Sequence, residues 1–308
     1  MIKALDKPLQ KYALGLTYSQ LIGLNLMPKI EVDAESFLLP KWNSNSFVIP
    51  DSTIRAMRAE RAELEMGDFE SIEVLLDEHT FKYRLDVREK MNIGRNLLGL
   101  NADRVAINDS MLRLNIEREK LIADILVATA SFASGHSETI STSSEKWDVS
   151  TGDPIKNITD GMDTVLSAVG QYPTDIYMGY AVFNALRMNE KILAIMKTTA
   201  DKILTPAVLA NIFGVKNVWV GTQRYRTSPT ATPTDIWGNN FGMVVVNPSA
   251  TNTPTPAFGI TPEYANLSDM VKVEETEAGK IFEYTPTLFY KPIITMDNAG
   301  FLYKTPLT

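Results

Sequence analysis

The sequence predicts an α+β fold on three grounds. One long amphipathic segment predicts a single helix over 101–135, far longer than the average helix of about 12 residues. Helix and strand patterns alternate over 153–221, and such alternation is typical of a compact α/β unit. From residue 270 onward, short apolar runs are separated by turn residues, which indicates an all-strand end. We expect these last strands to pack behind the long helix.

The first 35 residues have no evident core of their own. A short helix is predicted over 17–26, between breaks at Pro8 and Pro28. Two interpretations are open, a floppy terminus or an arm laid over another surface, and we expect the arm because its apolar side chains are costly to leave in water. These side chains are Leu14, Leu16, Leu21, Ile22, Leu24 and Leu26.

The pattern over residues 36–86 predicts a long two-stranded β-ribbon that projects from the rest of the chain, here called the excursion. Strand-like runs at 37–42, 46–50, 71–75 and 80–85 flank a charge-dense stretch at 51–68. A two-stranded ribbon is marginal alone in water and needs a surface to pack on. It is therefore either an ordinary solvated hairpin or a projecting arm that docks on a neighbouring subunit. The candidate contact residues at its charged tip are Arg55, Arg58, Glu60, Arg61, Glu63 and Glu65.

The long helix has recognisable ends. Asn101 is a suitable N-cap, Asp103 puts a negative charge in the first turn, and Gly135 supplies a stop. At 1.5 Å per residue the rod would be roughly 45 Å long. A coiled coil is the alternative, but the stripe follows no strict period of 3.5 residues. The stripe consists of Ile107, Met111, Leu114, Leu121, Ile125, Ala128 and Phe132, and the opposite face pairs Asp109 with Arg113 and Lys120 with Asp124.

The remaining helices and strands are predicted from helix-capping residues, helix-ending glycines and apolar runs. Two loops rich in Thr and Pro, at 227–234 and 247–258, interrupt them. The α/β elements are a helix opened by Asp153-Pro154, a strand at 174–179, a helix at 180–196, a helix opened by Thr205-Pro206 and stopped by Gly214, and strands at 218–221 and 243–246. The last strands are Met270 to Glu274, Lys280 to Tyr284, Leu288 to Thr295 and Phe301 to Tyr303.

Composition excludes several classes of protein. The chain has 308 residues, 44% apolar residues and a formal net charge of -7, which allows a large core and argues against sequence-independent nucleic-acid binding through a basic surface. Enclosure of nucleic acid is still compatible with that charge. There is no cysteine, so no disulfide or thiolate site is expected. No apolar run is long enough for a membrane span, and the start lacks a signal-peptide pattern, so we expect a cytoplasmic protein.

Motifs of catalysis are missing from the sequence. It contains no P-loop, dinucleotide fingerprint, nucleophile elbow or HExxH pair. We interpret His79 and His136 as surface histidines. A cluster of Glu274, Glu275 and Glu277 fits a solvated hairpin better than a cation site. The four tryptophans, Trp42, Trp147, Trp219 and Trp237, are interpreted as packing residues. We expect no enzyme activity, cofactor or metal.

The order of residues resembles the major capsid proteins of tailed bacteriophages with the Hong Kong 97-like fold. The resemblance covers nearly the whole chain. Each motif that carries it is weak evidence by itself, but the order and spacing of the motifs together are specific. They are Phe37…Lys41-Trp42, Phe47…Asp51…Arg55, Leu114…Glu117-Arg118-Glu119, Asp153-Pro154-Ile155, Met178-Gly179-Tyr180…Phe183-Asn184-Ala185-Leu186-Arg187, Thr205-Pro206…Leu209-Ala210…Phe213-Gly214-Val215 and Asp235-Ile236-Trp237-Gly238.

The resemblance implies four parts and an assembly. They are an N-terminal arm (1–35), an extended β-loop (36–86), a peripheral domain on the long spine helix (87–134 with 271–308) and an axial α/β domain (135–270). It implies hexamers and pentamers in an icosahedral shell around double-stranded DNA, bound without sequence specificity. The extended loop would lie over the adjacent subunit, and the Thr/Pro loops would face symmetry axes.

The resemblance also implies partners and a location. No N-terminal region has the size of a fused scaffold, so we expect a separate scaffolding protein or a removed segment, together with a portal protein and a decoration protein. No covalent crosslink between lysine and asparagine can be assigned, and non-covalent reinforcement is expected. The protein would be part of the virion, assembled in the host cytoplasm without contact with a membrane.

Three alternatives stay open. An encapsulin-like nanocompartment shares the fold but holds a cargo enzyme, which would need an apolar groove near the N-terminal helix. A soluble α/β enzyme would use 36–86 as a lid and would need a convergent polar constellation at the strand ends of 153–246. Tail and portal components are a third alternative, but they lack this order of segments.

Overall fold

The described part of the computed structural model contains two large β-sheets, two two-stranded ribbons and seven α-helices, one of which is long. The structure describes residues 21–41, 57, 70–96, 101–196, 203–248, 256–265, 268, 270–276 and 279–308. The helices are α1 (Gly23–Leu26), α2 (Val87–Asn96), α3 (Ala102–Leu126), α4 (Pro154–Val169), α5 (Tyr180–Met188), α6 (Glu190–Met196) and α7 (Pro206–Phe213). The strands are β1 (Lys29–Val32), β2 (Ser36–Lys41), β3 (Glu70–Leu75), β4 (Asp77–Thr80), β5 (Tyr83–Asp86), β6 (Ser137–Thr139), β7 (Asp175–Gly179), β8 (Asn217–Gly221), β9 (Arg224–Tyr225), β10 (Thr234–Asp235), β11 (Asn240–Val244), β12 (Gly259–Tyr264), β13 (Met270–Thr276), β14 (Ile281–Tyr290), β15 (Ile293–Ile294) and β16 (Gly300–Lys304).

The long helix α3 begins where the sequence predicts. The side-chain oxygen of Asn101 accepts a hydrogen bond from the backbone N–H of Asp103 at 2.9 Å, as an N-cap does. With 25 residues the helix is about 38 Å long, somewhat shorter than expected. The predicted ion pair on its outer face forms between Arg113 and Asp109, whose Nε and Oδ2 atoms are 3.0 Å apart.

The predicted end of the helix at Gly135 is wrong, because α3 ends at Leu126. The chain becomes extended at Ala128 and makes one 3-10 turn at Thr129–Ser131. The ring of Phe132 then stacks 4.8 Å from that of Phe258, in the core of the α/β part. Tertiary packing therefore ends a helix that no Gly or Pro interrupts.

A seven-stranded sheet lies behind α3. Its path runs β1-β12-β14-β13, and β4 and β5 also pair with β14 while β15 pairs with β12. The sheet and helix share one core, which confirms the prediction that C-terminal strands back the helix. Its buried residues are Leu85, Ala102, Ala106, Ile107, Met111, Leu114, Val271, Tyr284, Leu288 and Tyr290.

A five-stranded sheet in the order β6-β16-β11-β7-β8 forms the α/β part. The predicted helices opened by Pro154 and Pro206 are present, and Gly170, with φ of 70°, ends α4 in the left-handed conformation. The single helix predicted over 180–196 is wrong, because the backbone is extended at Asn189 and divides it into α5 and α6. Another expectation is wrong here: β16 does not back the long helix. It pairs antiparallel with β11 and parallel with β6, inside this second sheet.

The segments before α3 partly match their predictions. Strand β1 pairs in parallel with β12, and the apolar residues Ile22 and Leu26 are buried in the main core, so this part of the arm lies on its own chain. Strands β2 and β3 form an isolated two-stranded ribbon. The next two strands, β4 and β5, belong to the large sheet, so the predicted excursion does not extend to residue 86. In the described part of the chain, no helix has the length and apolar character that a membrane crossing requires.

Candidate functional site

The candidate contact residues at the ribbon tip lie outside the described residues. The predicted strand at 46–50 lies there as well. The six tip residues are Arg55, Arg58, Glu60, Arg61, Glu63 and Glu65. The structure describes the base of the ribbon that carries them, where the last described pair joins Lys41 to Glu70.

The ribbon has one buried face and one apolar exposed face. Leu39 and Val74 on one face pack against Ala257 and Ile260 at the large sheet. On the other face Leu38 is 67% exposed, although it neighbours Leu39 in sequence. The ribbon is therefore fixed at its root and offers apolar surface on its outer side.

A groove of about 940 Å³ lies between α3, the β4–β5 turn and the small ribbon of β9 and β10. Apolar parts of its wall include Phe81, Ile116 and Tyr225, and Lys120 lies 5.5 Å above the ring of Tyr225. Its charged lining side chains are Arg113, Glu117, Lys120, Arg224 and Arg226, four cations and one anion. The groove therefore suits an acidic segment with some apolar side chains.

Glu119 is a buried carboxylate on α3, where it joins three parts of the chain. Its Oε1 accepts hydrogen bonds from the N–H of Ile22 at 3.0 Å and from the indole N–H of Trp237 at 2.8 Å. Its Oε2 accepts one from the N–H of Gly23 at 2.7 Å. Burial raises the pKa of Glu119 above its ordinary value, although the three donors and the Arg118 charge oppose that rise.

Glu263 on β12 forms a second buried junction, with Arg118, the residue that precedes Glu119 on α3. Its carboxylate is fully buried and accepts from Lys29 at 2.9 Å and from Arg118 at 3.0 Å. The Arg118 guanidinium also donates to the side chain of Asn115. This network joins the N-terminal segment, α3 and β12 through paired charges, and breaking a buried pair is strongly destabilising.

Sequence reasoning did not select Glu119 or Glu263 as structural residues. A signal for Glu119 exists, because it falls between Asn115 and Ile122 on a second helical stripe that is buried. A charged residue on a buried stripe must find donors, so its position could have marked it. For Glu263 the sequence carries no comparable signal, since its burial depends on the pairing of β12 with distant strands.

The interpretation of the two histidines as surface residues is wrong. His136 is buried, and its Nδ1 lies 3.0 Å from the carbonyl oxygen of Gly300. His79 is mostly covered, since its ring stacks on Tyr290 at 4.3 Å and its Nδ1 lies 3.6 Å from a carboxylate oxygen of Glu117. Both rings are packed into the structure.

The other candidates behave as packing or surface groups. Trp147 and Trp237 are buried in the core, as predicted, and Trp219 donates to Asp175 at 2.9 Å. Glu274 pairs with Lys272 on its own strand, which fits the solvated hairpin. Among the described residues no group of three or more His, Cys, Asp or Glu is placed to hold a metal ion.

Comparison with known proteins gives one curated relative over nearly the whole chain. The chain is 28% identical to the major capsid protein of Burkholderia phage BcepMu over 305 residues, which are 98% of this chain and 96% of that protein. No family model matches the chain.

Solved structures share its fold. A phage-related protein from Bordetella bronchiseptica RB50 superposes with a TM-score of 0.80 at 19% identity, and each chain is covered completely. The capsid of a native GTA particle has a TM-score of 0.58 at 12% identity, with 94% of this chain and 91% of that chain covered. An encapsulin from Synechococcus elongatus has a TM-score of 0.50 at 10% identity, with 98% and 96% covered. The chain therefore has the Hong Kong 97-like capsid fold, and it is related along nearly its whole length to a phage major capsid protein.

Proposed function

We propose that this chain assembles as hexamers and pentamers into the icosahedral head shell of a tailed phage, which encloses double-stranded DNA. The observation that carries the proposal is the relation to a phage major capsid protein over 98% of the chain. The shell role is structural, without enzyme activity, and the protein would belong to the virion after assembly in the host cytoplasm. Separate scaffolding, portal and decoration proteins would complete the particle.

The four-part division fits this proposal and stays a prediction. The arm (1–35), the extended loop (36–86), the peripheral domain (87–134 with 271–308) and the axial domain (135–270) would each have a role in the shell. The Thr/Pro loops at 227–234 and 247–258 would face symmetry axes.

The test of the shell is size-exclusion chromatography followed by negative-stain microscopy of the expressed chain, alone and together with its neighbouring genes. Closed shells, or hexameric and pentameric rings, are the expected result. A stable monomer in both settings would contradict the proposal. The contents of the particles distinguish the encapsulin alternative, because a nanocompartment would hold a protein cargo and a phage head would hold nucleic acid.

The loop tip of one copy is proposed to dock in the groove beside α3 on a second copy. Residues 60–70 carry five acidic side chains and one arginine, together with Leu64, Met66 and Phe69. This composition complements the four cations and the apolar wall of the groove. Surface partners already pair with some of these cations, as Asp109 does with Arg113, but such exposed pairs contribute only about 0–1 kcal/mol and can exchange.

A charge swap tests this docking. Glu63→Lys with Glu65→Lys on the tip, or Arg224→Glu with Arg226→Glu in the groove, should each block shell formation while leaving the subunit folded. The four substitutions together should restore shells, because the pairing is re-formed with reversed signs. If the combined variant assembles no better than the poorer parent, the groove is not the docking site.

A further inference from the structure

The carboxylate of Glu119 accepts hydrogen bonds from two parts of the chain that are distant from each other in sequence. One oxygen, Oε1, accepts from the backbone N–H of Ile22 and from the indole N–H of Trp237, while Oε2 accepts from Gly23. Ile22 and Gly23 begin the short helix α1 near the N-terminal arm. Trp237 follows β10 in the α/β part. The same anion therefore holds both segments.

Both contacts are sterically close. A Cβ atom on Gly23 would lie 2.7 Å from Oε2 of Glu119, so the backbone approaches the carboxylate as only glycine allows. A Cβ atom on Gly221 would lie 2.0 Å from Cδ1 of Trp237, so the indole lies directly against the backbone of β8. Each contact therefore depends on a glycine, Gly23 beside Glu119 and Gly221 beside Trp237.

A buried carboxylate that loses a donor becomes much more costly to keep buried. Hydrogen bonds to a charged group are stronger than those between neutral groups, and an unsatisfied buried charge costs more than a neutral group does. The nearby cation of Arg118 already bonds Glu263 and Asn115, so it is not available as a replacement donor. Loss of the contact on one side therefore favours exposure of Glu119, which removes the contact on the other side.

We propose that Glu119 couples the N-terminal segment at residues 22–27 to the loop at Trp237, so that the two are held or released together. A partner that draws the N-terminal arm away from α3 would thereby loosen the α/β part at Trp237. By linkage, a partner that displaces Trp237 would free the arm to the same extent. The coupling is a property of the single chain and does not depend on the proposed shell.

The first test is hydrogen exchange with peptide-level mass spectrometry on the full-length protein. Trp237→Phe removes the indole donor and should raise the exchange rate of the peptide covering residues 22–27 by about tenfold or more. Trp147→Phe is the matched control, because Trp147 is equally buried in the same core and its indole N–H has no hydrogen-bond partner. Unchanged exchange at 22–27 in Trp237→Phe, or an equal rise in Trp147→Phe, would overturn the proposal.

The reverse experiment covers the case in which Trp237→Phe does not fold. Gly23→Ala places a methyl group against Glu119 and should raise exchange in the peptide covering residues 234–240. Asn25→Ala, an exposed position in the same short helix, is the control and should leave that peptide unchanged. In a Glu119→Gln background, Gly23→Ala should raise exchange in the 234–240 peptide much less than it does in the wild type. An undiminished rise in that background would show that the coupling runs through other residues.

Discussion

Glu119 joins three parts of the subunit through hydrogen-bond donors that the sequence does not reveal. It is 3% exposed and accepts three N–H donors, from Ile22, Gly23 and Trp237. A glutamate in a helix with many charged residues is interpreted as a surface residue unless its position among the buried residues of the helix is recognised. Its donors come from segments about one hundred residues away on each side, which local patterns cannot reveal.

Glu119→Gln should lower the free energy of unfolding by about 1–3 kcal/mol. The amide keeps one acceptor oxygen but turns an NH2 group toward an N–H donor, so at least one buried donor loses its partner. Urea denaturation of the unassembled subunit would measure the loss. Glu145→Gln, at an exposed glutamate, serves as control and should change stability by less than about 0.5 kcal/mol.

The pH dependence of stability has a definite sign at Glu119. Burial raises its folded pKa above the ordinary value of 4.5, so the folded chain binds more protons than the unfolded chain between those two values. The contribution of Glu119 to stability is therefore fully present below pH 4.5 and declines as pH rises through the folded pKa. Urea denaturation of wild type and Glu119→Gln across this window should show their difference shrinking toward higher pH. A difference that grows with pH would contradict the assignment.

At the scale of elements, caps and stripes predicted the starts of helices better than their ends. Asn101 caps α3 and Asp153 caps α4 as the sequence indicates, because a capping side chain bonds only to its own first turn. The end of α3 depends instead on where Phe132 packs, and β16 joins the second sheet through pairing with β11. Contacts with distant strands decide such features, and a single sequence does not display them.

The β2–β3 ribbon offers a test with neighbouring residues. Leu39→Ala removes a side chain that is 5% exposed and packs on Ile260, so it should detach the ribbon root and raise exchange across β2 and β3. The cost expected for a buried leucine is about 2–5 kcal/mol. Leu38→Ala alters the exposed face of the same strand and should leave exchange there unchanged. Equal effects of the two substitutions would show that the ribbon is not anchored by its buried face.

At the scale of the whole molecule, the resemblance found in the order of motifs agrees with the fold and with the phage relative. The acidic composition fits a container whose surface does not hold its contents by charge, and it was visible from the sequence alone. The contacts between subunits were not visible from the sequence, because they depend on where the loop tip lies relative to a second copy. The six tip residues remain predicted contacts for that reason.

Charge reversal of Arg55, Arg58 and Arg61 together should leave the subunit folded and block shell formation. The reason is that these cations are proposed to pair with a neighbouring subunit. Circular dichroism would report the fold, and negative-stain microscopy the shells. Normal particles from this variant would rule out docking through these arginines.

A second variant separates docking from pairing within the loop. Reversing all six charged residues, including Glu60, Glu63 and Glu65, keeps every internal pair with opposite sign. Shells that return in this variant would indicate that the charges pair inside the loop. Continued failure is the outcome expected of contacts with a neighbour.

The position of β16 has a consequence for biosynthesis. Strand β6 pairs with no described strand except β16, and β11 has β16 along one side, although β16 is synthesised long after β6 and β11. Residues 137–139 therefore cannot pair within the sheet until residues 300–304 have been synthesised. Synthesis interrupted anywhere before residue 300 yields a chain with an open sheet and an exposed core. The fold thereby makes synthesis of residues 300–304 a condition for closing the second sheet, long after its other strands have been made.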